Sequence, residues 1–201
     1  MKITCLGDSI CYGYGVQPEQ AWTSLLAKEL AEEMPDLQII NAGVNGETAA
    51  DGLGRLDGLL QSSPEILYVQ FGLNDAAIGE PVDVFIENMR EIIRRSQAQG
   101  VRRILVGSNH PVSPEEYFPG GETYRQAAHF FNAALREEFA KAAGAVRFVD
   151  VERMCEAVGD IHEQVQMLQY DGDHLSPEGN RIYCRFLVPV FRECITEVSG
   201  V

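Results

Sequence analysis

The chain has 201 residues, 45% of them hydrophobic and 23% charged, which is enough to bury a sizeable core and ordinary for a soluble globular protein. With 16 basic residues against 30 acidic ones the formal charge is −14, a field that works against nucleic acid, anionic membrane surfaces and strongly anionic substrates. The 5 cysteines, an odd number without C-x-x-C or zinc-ligand spacing, argue against a disulfide framework and a structural metal site. They read as reduced thiols of a cytoplasmic protein, and neither a signal-peptide pattern nor an apolar run long enough to cross a bilayer precedes or interrupts the pattern.

Lys2 to Leu6 is an apolar, β-leaning run that breaks at Gly7, with Ser9 two residues past the break. Open parallel sheets present reactive and ligand-binding groups at such a place, the carboxyl end of a strand. Cys11-Tyr12-Gly13-Tyr14-Gly15 reads as a flexible loop. It lacks the Lys-Ser/Thr ending of a P-loop and the third glycine of a dinucleotide fingerprint. From Ala21 to Met34, Trp22, Leu25, Leu26 and Leu30 recur at helical spacing, which predicts an amphipathic helix with Trp22 in the core. Leu37 to Ile40 is a second strand, followed by Asn41-Ala42-Gly43-Val44-Asn45-Gly46, and Leu53, Leu56 and Leu60 mark the next helix. Gly46 therefore precedes a helix amino terminus, where unpaired N–H groups and the dipole favour an anion; a plain strand-to-helix turn reads the same way.

Ile66 to Phe71 is a third strand, largely apolar as a strand buried on both faces should be, and it ends in Gly72-Leu73-Asn74-Asp75. Pro81 to Gln99 is a helix with Asp83 and Glu87 early and Arg94 and Arg95 late, as the macrodipole prefers. Arg103 to Gly107 is a fourth strand. Ser108 to Gly121, rich in proline and glycine, is a long irregular loop at the functional end of the sheet; His110, Tyr117 and Phe118 within it are candidates to line a substrate pocket, or simply to pack. A helix from Thr123 to Ala143 and a fifth strand, Val146 to Val149, follow. Val151 to Val158 suggests a short helix, with loop from there to Gln169. Ser176 and Pro177 form an N-cap and first-turn proline that open a final helix, kinked near Pro189. Five strands alternating with helices, without repeat or linker, predict one α/β domain over residues 1–201, a doubly wound parallel sheet.

Ser9, Gly46 and Asn74 each follow a strand's carboxyl end, and His174 lies in the loop before the last helix, so one sheet edge collects all four. A serine hydroxyl is a weak nucleophile until a base takes its proton, and histidine suits that role near neutrality. Of the four histidines, His129 falls in a helix, His162 in a poorly patterned stretch and His110 in the long loop. Only His174 has a carboxylate three residues earlier with a glycine between, so Asp171 can curl back to the imidazole N–H and fix its tautomer; the adjacent Asp173 is the alternative. The N–H groups of Ser9 and Gly46 and the amide of Asn74 are the natural donors for an oxyanion.

Gly7-Asp8-Ser9-Ile10, the block Asn41 to Gly46, Gly72-Leu73-Asn74-Asp75 and Asp171-Gly172-Asp173-His174 resemble, in order, the four signature blocks of the SGNH (GDSL) hydrolase family. The resemblance implies a flavodoxin-like three-layer sandwich with a five-stranded sheet of order 2-1-3-4-5. It also implies an ester hydrolase working without metal or cofactor, with Ser9 as nucleophile, His174 as base, Asp171 as orienting acid, and Ser9, Gly46 and Asn74 as the oxyanion hole. Trp22 with Leu25 and Leu26 is further similar to the bacterial lysophospholipase, thioesterase and arylesterase branch.

The expectation is a serine esterase acting on a small-molecule, short-chain carboxylic ester through an acyl-enzyme, with no nucleic-acid partner and no membrane insertion. Its variants are a carbohydrate O-acetylesterase and a thioesterase or lysophospholipase of the same family. The rivals of other classes are a phosphate- or flavin-binding module using Gly13 to Gly15 and Gly46, a metal-dependent hydrolase using Asp171, Asp173 and His174, and Cys11 as nucleophile.

Overall fold

The computed structural model describes residues 1–113, 124–159 and 161–200. Five parallel strands, β1 (Lys2–Gly7), β2 (Gln38–Gly43), β3 (Ile66–Gln70), β4 (Arg103–Gly107) and β5 (Val146–Val149), form one sheet of order β2-β1-β3-β4-β5. In this order the chain starts in the middle, moves to one edge and returns past β1, so β1 lies at the topological switch point. The crevice at such a reversal opens beyond the carboxyl ends of the strands on either side of it. The register pairs Gly7 with Gly43 on one side and with Gln70 on the other, which brings the ends of β1, β2 and β3 level. Three sequence blocks thereby meet although some 60 residues separate the first from the third.

The helices are α1 (Ser9–Tyr12), α2 (Trp22–Ala31), α3 (Ala49–Leu60), α4 (Leu73–Ile78), α5 (Val82–Ala98), α6 (Tyr124–Phe139), α7 (Val151–Glu156), α8 (Ile161–Gln166) and α9 (Pro177–Ser199). One layer consists of α2 against α9, and the other of α3, α5 and α6. Side chains alternate across a strand, so the central β3 supplies both layers. Its Tyr68 packs among Trp22 of α2 and Tyr183 and Phe191 of α9, while Leu67 and Val69 turn to the opposite face. Trp22 is fully buried and donates its indole N–H to the Ile10 carbonyl at 3.0 Å, a core residue that also steadies α1.

Three short elements depart from the reading of the sequence. Ser9–Tyr12 is a helical turn rather than loop, opened by the Asp8 carboxylate, which accepts from Ile10 N–H at 2.9 Å, and closed by Gly13. Leu73–Ile78 and Ile161–Gln166 are six-residue helices where no helix is predicted. At one or two turns an amphipathic period has no room to repeat, so capping rather than patterning defines such elements. The final helix continues through Pro189 to Ser199.

The stretch after β4 does not begin as an open loop. Ser108, Asn109 and His110 are buried, and Asn109 is held by Asn132 of α6 and itself donates to the Phe71 carbonyl at 2.9 Å. Tyr117 and Phe118 lie outside the described residues.

Candidate active site

Ser9 is the first residue of α1, directly after β1, and only 7% of it is exposed. Its carbonyl accepts from the N–H groups of Gly13 and Tyr14, each at 3.0 Å, so the turn closes on itself and holds the side chain at its mouth. The close approach of β2 is what lets this turn sit so low: a Cβ on Gly43 would collide with the backbone of Tyr12. Ser9 Oγ lies 2.9 Å from Nε2 of His174, across 165 residues of sequence.

His174 and Asp171 share one tight loop before α9. Asp171 Oδ2 is 2.8 Å from His174 Nδ1, while Oδ1 accepts from the backbone N–H groups of Asp173 at 3.1 Å and His174 at 3.0 Å. Burial raises the pKa of this carboxyl, but the two backbone donors and the imidazole outweigh it and hold Asp171 below the usual carboxylate range. A charged Asp171 makes Nδ1 the protonated ring nitrogen, leaving Nε2 with its lone pair toward Ser9.

Two features outside the predicted set support this pair. The ring of Tyr14 packs on that of His174 with centroids 4.5 Å apart. Gln169 ties their two loops together: its Nε2 donates to the carbonyls of Tyr14 (2.6 Å) and Leu175 (2.9 Å), and its backbone N–H to the His174 carbonyl (2.7 Å). Neither residue belongs to a motif, and nothing in the local pattern singles out Gln169.

The oxyanion candidates Gly46 and Asn74 follow β2 and β3, the two strands paired with β1. Gly46 has φ of 78°, a left-handed conformation that L side chains adopt at a cost, and a Cβ there would meet nothing within 4 Å. Glycine is therefore required by the backbone shape and not by crowding. Asn74 Nδ2 donates to the Glu47 carbonyl at 2.9 Å, tying β3's loop to the turn that carries Gly46. Arg55 braces that turn from α3: its Nε contacts both Glu47 carboxylate oxygens at 2.9 and 2.7 Å, and its Nη2 reaches the Ala42 carbonyl at 2.7 Å. Among the described residues, no hydrogen bond engages the backbone N–H groups of Ser9 or Gly46.

Other candidates fall elsewhere. The Cys11 thiol is fully buried, directed at the Cys5 carbonyl, and burial pushes its pKa well up, which removes the thiolate a nucleophile needs. His129 on α6 pairs with Glu152 at 2.8 Å, and His162 belongs to α8. His110 is 1% exposed, on the wall of a cavity of about 390 Å³ shared with Val112, Arg125 and Glu152, and its Nε2 is 2.7 Å from the Asp173 carbonyl.

Asp8 carries a pH effect. Burial pushes its carboxyl from 3.8 to about 7 despite the Ile10 N–H, with the charges of Asp173 and Asp75 adding to the rise. Because the native state holds this proton more tightly than the unfolded chain, its contribution is fully present below pH 3.8 and is lost as pH rises through about 7. Asp8→Asn keeps an oxygen for Ile10 N–H and cannot ionise. Its stability relative to wild type is expected to rise by on the order of 3–4 kcal/mol between pH 4 and pH 8 in urea melts. A gap that stays constant across that range would mean that Asp8 is charged throughout.

A model of the GDSL-like lipase/acylhydrolase family matches residues 5–182. The chain is 30% identical over 145 residues to esterase TesA of Pseudomonas aeruginosa, covering 71% of this chain and 72% of that protein. It is 34% identical over 106 residues to an arylesterase of Vibrio mimicus, covering 52% of this chain and about half, 53%, of that one. A crystal structure of TesA shares the fold with a TM-score of 0.72 at 27% identity, covering 94% of this chain and 97% of its own. The family match runs from β1 into α9 and takes in the four segments that carry Ser9, Gly46, Asn74 and His174, and the chain belongs to the GDSL-like lipase/acylhydrolase family.

Proposed function

We propose that the protein is a serine esterase that hydrolyses short-chain carboxylic esters through an acyl-enzyme intermediate. The observation that carries the reading is the line of contacts from Ser9 Oγ to His174 Nε2 at 2.9 Å and from His174 Nδ1 to Asp171 at 2.8 Å. In the first half-reaction Ser9 Oγ attacks the ester carbonyl while His174 Nε2 takes its proton. The resulting imidazolium is stabilised by Asp171 and returns the proton to the departing alcohol. Water then repeats the sequence on the acyl-serine, with the acid leaving and Ser9 regaining its proton. Charge on the carbonyl oxygen is met by the N–H groups of Ser9 and Gly46 and by the amide of Asn74, whose second hydrogen is not used on Glu47.

The relatives named esterase and arylesterase support this chemistry. The net charge of −14 favours neutral over anionic substrates, and the five buried, unpaired cysteines fit a reducing compartment such as the cytosol. Among the described residues no helix is long and apolar enough to cross a membrane.

A fluorophosphonate reacts with an activated serine and leaves a covalent adduct. Peptide mapping after such treatment is expected to place the label on Ser9, with loss of nitrophenyl acetate hydrolysis in proportion to labelling. An unlabelled Ser9, or full activity after labelling, would sink the reading.

A further inference from the structure

We propose that His110 is a positioning residue for His174: its imidazole N–H clamps the peptide group from which His174 hangs. The inference rests on the reading of Ser9, His174 and Asp171 given above. It starts from a buried histidine with one nitrogen used and the other idle. His110 is 1% exposed, its Nε2 lies 2.7 Å from the Asp173 carbonyl, and its Nδ1 has no hydrogen-bond partner among the described residues. A carbonyl only accepts, so Nε2 carries the proton and Nδ1 holds a lone pair.

That carbonyl belongs to the peptide joining Asp173 to His174, and the other end of the same peptide is also held. Its N–H donates to Asp171 Oδ1 at 3.0 Å. Turning the peptide plane would break both bonds at once, and with them the direction in which His174 leaves the backbone. The peptide before it is held by the same segment: Ser113 N–H donates to the Gly172 carbonyl at 2.7 Å. Asp171 thus fixes the ring and one face of the peptide, and the chain after β4 fixes the other.

A core role alone accounts poorly for this arrangement. An aliphatic side chain would fill the space without burying an idle lone pair, a burial that costs stability. The idle nitrogen also keeps the ring neutral. Burial pushes the His110 pKa down to about 4, and the neighbouring His174 pushes in the same direction. The ring is then a neutral N–H donor of fixed tautomer at neutral pH.

Three variants separate positioning from packing. Glutamine carries an amide N–H to the place of Nε2, asparagine only as far as Nδ1, and leucine carries none. Each is assayed for kcat and KM on nitrophenyl acetate, for Tm, and for the low-field proton resonance of the His174–Asp171 hydrogen bond, assigned by its absence in His174→Ala. Misplacing a catalytic group by about an ångström costs about 100-fold in rate. His110→Leu and His110→Asn are therefore expected to lose kcat on that scale, keep KM, and broaden or lose the resonance, while His110→Gln recovers most of both. Wild-type kcat with an unchanged resonance in His110→Leu overturns the proposal, as does a glutamine variant no better than asparagine. Should the leucine variant fail to fold, the glutamine–asparagine contrast decides. Full activity in His174→Ala would overturn the active-site reading and this proposal together, whereas an inactive His174→Ala beside a fully active His110→Leu overturns the proposal alone.

Discussion

Ser9→Ala is expected to lower kcat for nitrophenyl acetate by about 10⁶-fold, because a nucleophile and its base act as a unit and removing either one forfeits the covalent route. Such a loss corresponds to roughly 8 kcal/mol of transition-state stabilisation. The fold should hardly notice. Ser9 Oγ contributes one hydrogen bond, to His174, and the turn around it is held by Asp8, Gly13 and Tyr14 through groups that alanine keeps. A typical hydrogen bond contributes about 1 kcal/mol net, so a small change in Tm should accompany the catalytic loss. Pre-steady-state kinetics give the sharper measurement: wild type should release a burst of nitrophenol equal to the enzyme concentration, and Ser9→Ala none. A variant that retains the burst would require a different nucleophile.

Asp171→Asn is expected to lower kcat by on the order of 10⁴-fold while leaving the backbone of the loop in place. The amide oxygen can still accept from the N–H groups of Asp173 and His174 as Oδ1 does now. The amide nitrogen, however, would face His174 Nδ1 where a carboxylate oxygen now stands at 2.8 Å. Two donors cannot share that bond, so the imidazole adopts the tautomer with its proton on Nε2 and has no lone pair for the Ser9 hydroxyl. Asp173→Asn provides the control. Asp173 approaches the site through its backbone, with its carbonyl bonded to His110, while the carboxylate on His174 Nδ1 is that of Asp171; replacing Asp173 should cost far less. Equal losses in the two variants would mean that the acidic character of the loop, rather than the Asp171 contact, is what matters. Because Asp171 is held below the ordinary carboxylate range, its charge is in place at neutral pH.

Much of the architecture was legible in the chain itself, for reasons that differ between elements. The strands ending at Gly7 and Gly107 stand out because apolar runs of strand length stop at residues that release the backbone, whereas β2 runs three residues past the expected Ile40 to Gly43, through a stretch with no apolar run. The helices Trp22–Ala31, Val82–Ala98 and Tyr124–Phe139 are long enough for their periodicity to repeat. Ser9 and Asn74 could be selected because each follows a strand's carboxyl end, where a parallel sheet places its chemistry, and His174 because a carboxylate stands three residues before it with a glycine between. Ser9–Tyr12, Leu73–Ile78 and Ile161–Gln166 were not legible, since a helix of one or two turns leaves no periodic trace.

The local sequence therefore determined which residues stand at the strand ends, because hydrophobic period and glycine breaks are properties of neighbours along the chain. It also determined that Asp171 could reach His174, since three residues and a glycine span that turn. Only the tertiary structure decided that Ser9 Oγ meets His174 Nε2, that Gln169 and Tyr14 brace the imidazole, and that Arg55 holds the Gly46 turn. Burial decided two further matters. It made Asp8 a carboxyl that titrates near 7, and it turned His110 from a candidate loop residue into the neutral donor beneath the Asp173 peptide. These contacts join residues between 8 and 165 positions apart, and the low dielectric that gives them their energetics exists only once the layers have closed over the sheet.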